Sequence, residues 1–134
     1  MQKRLFLTSF AVAAALCSPS AWSQEKFKIG LILPMTGPFA STGKQIEAAA
    51  KLYISQNGDM LAGKKVELIV KDDTSAPDVT KRIAQELVVN DKVSVLAGFG
   101  LTPLALATAP IATQSKTPLV VMAAATSSIT EASP

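Results

Sequence analysis

The sequence of 134 residues has the length of one small domain, and its 49% hydrophobic residues against 17% charged residues are enough to bury a core. It contains no histidine and a single cysteine, Cys17, which excludes histidine-based catalysis and metal sites built from histidine and cysteine. The formal charge of +3 includes Lys3 and Arg4, and without them the chain is nearly neutral and offers no basic cluster to nucleic acid.

The first predicted element is a secretory signal peptide over residues 1–23. Two basic residues precede the apolar stretch 5–16, and Ala21-Trp22-Ser23 places small residues where a signal peptidase cleaves. This stretch is shorter than the roughly 20 apolar residues that span a bilayer. A lipoprotein would use Cys17 as its acceptor, but the bulky residue before it fits that reading badly. The sequence therefore predicts export without a membrane anchor.

Short apolar runs then alternate with helical patterns. The apolar runs predict four strands, at residues 27–33, 66–72, 93–97 and 119–123. Four segments carry helical signals: residues 42–57, a helix led by Ser75, Pro77 and Asp78, an alanine-rich helix from Thr102-Pro103 that Pro110 must kink or shorten, and a capping box from Ser128 to Glu131.

This alternation predicts an α/β fold, a doubly wound parallel sheet with helices on both faces. Right-handed crossovers give the strand order second, first, third, fourth. The chain ends at Ser133-Pro134, just after the predicted start of its fourth helix. We therefore expect it to be a fragment of a longer polypeptide.

Three motifs give only weak functional signals. Residues 37–44 (GPFASTGK) approximate a phosphate-binding loop, but the glycines are one residue too far apart and Gln45 stands where a magnesium-binding hydroxyl is needed. Gly98-Phe99-Gly100 lacks the third glycine of a dinucleotide fingerprint. Asp72 and Asp73 end the second strand, where a cation or a ribose hydroxyl could bind, but such residues are more often solvated or cap the next helix.

The informative pattern is Thr102 together with Ala124-Ala125-Thr126. Each segment follows a predicted strand and begins a helix, and neighbouring strands place both at the carboxyl edge of the sheet, where open α/β sheets bind ligands. Each helix start offers unpaired backbone amides, partial positive charge and a hydroxyl. This combination suits a small carboxylate without any lysine or arginine. Ordinary N-capping by both threonines remains the alternative.

Three segments together resemble the solute-binding proteins of branched-chain amino acid ABC transporters, which are leucine-binding-protein-like, type I periplasmic binding proteins. They are KIGLILPMTGPFASTGKQIEAAAKLYI at 28–54, ELIVKDDTSAPDVTKRIAQELVVNDKVSVLAGFG at 67–100 and TPLVVMAAATSSITEASP at 117–134. The resemblance implies two lobes with the ligand between them, and residues 24–134 as a truncated amino-terminal part of the first lobe. It also implies a periplasmic protein that delivers its ligand to a membrane permease and is not an enzyme, with neither metal nor cofactor.

By this resemblance, the family's contacts to the ligand carboxylate and ammonium fall on Thr102, Ala124 and Thr126. Ala125 and Leu101 complete the predicted ligand-binding set. These are the segments that the helix-terminus argument also selects.

The same resemblance leaves the ligand open. Thr42 stands where amino-acid binders often carry an aromatic residue, and the acidic partner of an α-ammonium belongs to the second lobe. Phe39, Phe99 and Leu101 are candidates for an apolar wall. An aromatic or keto acid is therefore expected nearly as much as a branched-chain amino acid.

The sequence is also compatible with other interpretations. The same sheet can carry an enzyme or a signalling domain, in which Asp72 or Asp73 would be the catalyst or metal ligand. A truncated product without a function of its own, or a ligand-sensing domain of the same fold, is also compatible with the sequence.

Overall fold

The computed structural model describes residues 25–132, so the predicted signal peptide lies outside the described part of the chain. Strands and helices alternate along it. In chain order they are β1 (Lys26–Leu33), α1 (Ala40–Asn57), β2 (Met60–Leu61), β3 (Lys64–Asp72), α2 (Pro77–Val89), β4 (Val95–Gly98), α3 (Thr102–Ser115), β5 (Leu119–Val121) and α4 (Ser128–Ala132).

The sheet has the order β2-β3-β1-β4-β5. β1 lies in the middle and pairs in parallel with β3 and β4, and β5 pairs in parallel with β4. The four parallel strands therefore have the predicted order, and the predicted doubly wound α/β fold is confirmed.

β2 was not predicted. It is a two-residue strand that pairs antiparallel with the start of β3, with Met60 opposite Lys65. Ala62 and Gly63 between the strands both have positive φ, which is typical of the tight turns that join two antiparallel strands. An Ala-Gly pair is a weak sequence signal for such a turn, because alanine rarely adopts this conformation.

Apolar side chains on both faces of the sheet are buried against the helices. On β1, Leu31 and Leu33 point toward α1, and Ile32 points toward α2 and α3. The larger cluster, on the α2 and α3 face, contains Ile32, Ile83, Ala84, Leu87, Val93, Leu96, Phe99, Leu104, Ala105 and Ala112. Helices thus cover both faces, as the near-continuous apolar strands predict.

The helix starts depart from prediction in detail. Pro77 is the first residue of α2, as predicted, but its N-cap position is Ala76 and makes no side-chain hydrogen bond. The Ser75 amide donates instead to Asp73 Oδ1 at 2.8 Å, which closes a local turn before the helix begins. In α4 the Ser128 hydroxyl pairs with that of Thr126, and the Glu131 amide donates to the Ser127 carbonyl, so the predicted capping box does not form. Pro110 does not shorten α3, which continues to Ser115.

The α1 face of the sheet is only partly covered. An apolar groove of about 450 Å³ runs along it. Its lining includes exposed Tyr53, Met60, Leu61, Val120 and Met122. Among residues 25–132, no helix has the length and apolarity to cross a membrane.

A glycine at position 98 is required by close backbone contact. Gly98 has φ of +115°, and a Cβ there would lie 2.1 Å from the carbonyl oxygen of Ile32 on β1. We expect Gly98→Ala to lower the free energy of unfolding by about 2–4 kcal/mol, because it adds backbone strain to a clash in the central strand pair. Urea denaturation of the full-length polypeptide that contains this sequence measures the loss.

The matched control is Gly63→Ala, since Gly63 also has positive φ but a Cβ added there would have nothing within 4 Å. Strain alone predicts a loss of about 1 kcal/mol at Gly63. Equal losses in the two variants would contradict the close approach of Gly98 to Ile32.

Candidate functional site

Three loops meet at the carboxyl edge of the sheet, because β1, β4 and β5 are parallel neighbours and end on the same side. We call them the β1 loop (34–39), the β4 loop (99–101) and the β5 loop (122–127). The first two touch: a Cβ on Gly100 would lie 2.9 Å from Pro34 Cγ. The last two are joined by a hydrogen bond from the Ala124 amide to the Phe99 carbonyl, at 3.0 Å. The loops therefore form one continuous row.

Phe99 lies at the centre of this row. Its amide donates to the Ile32 carbonyl at 2.9 Å, and its carbonyl accepts from the β5 loop. Its φ is +66°, which a bulky residue rarely adopts, and its ring is fully buried in the core. The prediction that Phe99 supplies an apolar wall for a ligand is therefore wrong. Its ring is part of the core, and its backbone positions the loops.

The two predicted threonine segments lie side by side. Thr102 is the first residue of α3, and its hydroxyl donates to the Ala125 carbonyl at 3.4 Å. The Thr126 hydroxyl lies 3.0 Å from that of Ser128. α3 has no side-chain cap, and the Ile129 amide donates to the Thr126 carbonyl rather than to its hydroxyl. Neither threonine is thus an ordinary N-cap.

Backbone amides at this edge are unpaired. Among the described residues, no acceptor is found for the amides of Leu101 and Thr102, or for those of Ala125 and Thr126. The first turn of α3 contains no acidic residue that would occupy the positive end of the helix dipole. The arrangement can therefore accept a small anion through amides and hydroxyls.

The remaining members of the predicted set differ in exposure. Leu101 and Ala124 are half-buried and pack against the larger core cluster. Ala125 is exposed, and its carbonyl receives the Thr102 hydroxyl. The geometry brings all five predicted residues together, in the β5 loop and at the junction of the β4 loop with α3.

Asp72 holds the β1 loop in place, a role that the sequence did not reveal. Its carboxylate accepts the Met35 amide at 2.9 Å, the Thr36 hydroxyl at 2.7 Å and the Thr74 amide at 2.9 Å. Partial burial raises the pKa of this carboxyl, but the hydrogen bonds outweigh burial and hold the pKa below its ordinary value. Asp72 is therefore neither a free solvated group nor a helix cap.

Asp73 has the opposite environment. The residue is fully buried, and its Oδ2 atom has no hydrogen-bond partner. Burial raises the pKa of its carboxyl, the Ser75 amide offsets part of the rise, and the Asp72 charge adds to it. Within residues 25–132, no three acidic, cysteine or histidine side chains are grouped to hold a metal ion.

Comparisons with known proteins agree with this fold. A family model described as periplasmic binding protein matches residues 26–134. The Leu/Ile/Val-binding protein homolog 6 of Brucella abortus (strain 2308) is 42% identical over 133 residues, which are 98% of this chain and 34% of the relative. The chain thus spans about a third of that relative's length.

Two solved structures are similar over most of the chain. A solute binding protein of an ABC transporter from Rhodopseudomonas palustris BisB5, in complex with 3,4-dihydroxy benzoic acid, is 68% identical with a TM-score of 0.80, covering 81% of this chain and 30% of that one. The corresponding protein from Rhodopseudomonas palustris HaA2, in complex with p-hydroxybenzoic acid, is 44% identical with a TM-score of 0.79, covering 82% and 30%.

Removing the charge of Asp72 and removing that of Asp73 should have opposite effects on stability. The lowered pKa of Asp72 contributes stability that is present above the unfolded-state pKa and is lost as pH falls through the folded-state pKa. We expect Asp72→Asn to lower the free energy of unfolding at pH 7 by about 1–2 kcal/mol, because three donors lose an ionised acceptor. Urea denaturation of the full-length polypeptide should show this difference shrinking below about pH 4.

Asp73→Asn is the matched control. The raised pKa of Asp73 favours folding below the unfolded-state pKa, and this contribution is lost as pH rises through the folded-state pKa. The asparagine variant keeps an acceptor for the Ser75 amide without a buried charge. We therefore expect it to equal or exceed the stability of the parent at pH 7. A loss at pH 7 as large as that of Asp72→Asn would contradict the assignment.

Proposed function

This chain belongs to the periplasmic binding protein family, and we propose that it forms one side of the ligand cleft in the solute-binding component of an ABC transporter. In this proposal, the signal peptide at residues 1–23 directs export to the periplasm, and residues 24–134 are part of the first lobe. The protein captures a small carboxylate and delivers it to the membrane permease without catalysing a reaction.

One observation carries the proposal: the backbone amides of Thr102 and Thr126 have no acceptor, and the two segments are joined into one rim by the hydrogen bond from the Thr102 hydroxyl to the Ala125 carbonyl. α3 is 14 residues long, so its amino end presents a full helix dipole to this rim. A carboxylate bound there is neutralised by backbone and hydroxyl groups alone. Closure of a second lobe would exclude water and strengthen these bonds.

We propose an aromatic acid of the hydroxybenzoate class as the ligand. The relatives at 68% and 44% identity were both crystallised with hydroxylated benzoic acids. An α-ammonium would need its acidic partner from the second lobe, because Asp72 already accepts three hydrogen bonds and Asp73 is buried. An aromatic acid has no ammonium and needs no such partner.

A branched-chain amino acid is the second candidate. It is supported by the 42% identity to the Leu/Ile/Val-binding protein homolog. Calorimetric titration of the full-length polypeptide with 4-hydroxybenzoate, 3,4-dihydroxybenzoate and leucine separates the two ligand classes. If leucine alone binds, a branched-chain amino acid replaces the aromatic acid as the proposed ligand. The proposed carboxylate site at Thr102 and Thr126 is not affected by that result.

The carboxylate rim is tested by removing its hydroxyls. We expect Thr102→Val and Thr126→Val each to weaken binding about tenfold to a hundredfold, because a buried carboxylate loses a donor at a cost of about 1.5–3 kcal/mol. Titration calorimetry gives the dissociation constants, and thermal denaturation without ligand shows that the fold is retained.

Thr130→Val is the matched control in the neighbouring helix. The Thr130 hydroxyl donates to the Ser127 carbonyl at 2.9 Å and is exposed, so its loss should leave affinity unchanged. Unchanged affinity in both Thr102→Val and Thr126→Val would contradict the site.

A further inference from the structure

Phe39 is a large apolar side chain that the core does not use. It is 44% exposed and is the residue immediately before α1, at the end of the β1 loop. Several other exposed large apolar residues lie far from this edge, with Met60 and Leu61 in the hairpin and Val89 at the end of α2. Phe39 instead lies at the carboxyl edge, in the same row of loops as Thr102.

The β1 loop is fixed rather than mobile. Asp72 holds Met35 and Thr36 at its beginning. At its other end, the Phe39 carbonyl accepts the amides of Thr42 at 3.1 Å and Gly43 at 3.3 Å. Gly43 is so close to the loop that a Cβ would lie 2.2 Å from the Pro34 carbonyl oxygen. The backbone of Phe39 is therefore held at both ends while its ring remains half exposed.

The order of the strands places the β1 loop, whose last residue is Phe39, next to the β4 loop, which ends one residue before Thr102. β1 pairs with β4, and the β1 and β4 loops touch at Pro34 and Gly100. Neighbouring strands are about 4.8 Å apart, a distance comparable to the length of a benzene ring. A benzoate with its carboxylate at Thr102 is therefore long enough to reach from the β4 loop to the β1 loop, to which Phe39 belongs.

We propose that Phe39 is a specificity-determining residue that packs against the aromatic ring of the ligand. This inference rests on the proposed binding of an aromatic acid at Thr102 and Thr126. Ring–ring packing adds attraction beyond the area that it buries, so an aromatic side chain at this position favours an aromatic acid over an aliphatic one of similar size. The amides and hydroxyls hold the carboxylate, which both kinds of acid share. Phe39 distinguishes an aromatic ring from an aliphatic chain attached to that carboxylate.

The test compares 4-hydroxybenzoate with 4-methylpentanoate, an aliphatic acid without an ammonium group, by calorimetry on the full-length polypeptide. Phe39→Ala should weaken binding of 4-hydroxybenzoate about tenfold or more and change binding of the aliphatic acid much less. Phe39→Leu should keep the aliphatic affinity and lose most of the aromatic preference. Val89→Ala, which truncates an exposed apolar residue at the far end of α2, should change neither affinity.

Three results would overturn the proposal in distinguishable ways. If Phe39→Ala binds 4-hydroxybenzoate like the parent while Thr102→Val is weakened, the inference about Phe39 fails and the proposed carboxylate site stands. If Phe39→Ala and Phe39→Leu lower both affinities equally, Phe39 covers the site without distinguishing rings, and the inference again fails. If the unmodified polypeptide binds no aromatic acid, the inference fails together with the proposed ligand.

Discussion

The left-handed turn at Gly98 and Phe99 is the constraint on which the carboxyl edge depends. Positive φ at both residues turns the chain out of β4, with Gly98 against the Ile32 carbonyl and the Phe99 ring in the core. Burial of a phenylalanine side chain contributes about 2–3 kcal/mol, which is comparable to the strain of such a backbone conformation. The Phe99 amide donates a hydrogen bond to β1, and the Phe99 carbonyl accepts one from the β5 loop, so this one turn sets the spacing of three loops.

That spacing provides the donors of the proposed anion site, although the domain is nearly neutral. The rim at Thr102 and Thr126 uses backbone amides, hydroxyls and the dipole of α3, all of which are fixed by the fold. Asp72 fixes the β1 loop to the same row by accepting hydrogen bonds from Met35 and Thr36. A preorganised site of this kind would lose little entropy when a ligand binds, and in the two-lobe protein that we propose the second lobe would mainly have to close over it.

The sequence predicts the features that come from local patterns. Apolar runs and helical spacing predicted the four parallel strands, their order and the helices on both faces, and strand ends followed by threonine predicted the loops that meet at the edge. The β2 hairpin, the role of Asp72 and the burial of Phe99 were missed, because each depends on contacts between residues far apart in the chain or on positive φ at a non-glycine residue. Ser75, which was predicted to lead α2, lies instead in a turn before the helix, where Asp73 accepts its amide.

A crystal structure of the full-length polypeptide with bound 4-hydroxybenzoate tests the central claim most directly. The account predicts a carboxylate oxygen about 3 Å from the Thr102 amide or hydroxyl, at ordinary hydrogen-bond distance, with the other oxygen on the β5 loop. A ligand whose carboxylate points away from the start of α3, held instead by a cationic side chain of the opposite lobe, would contradict it.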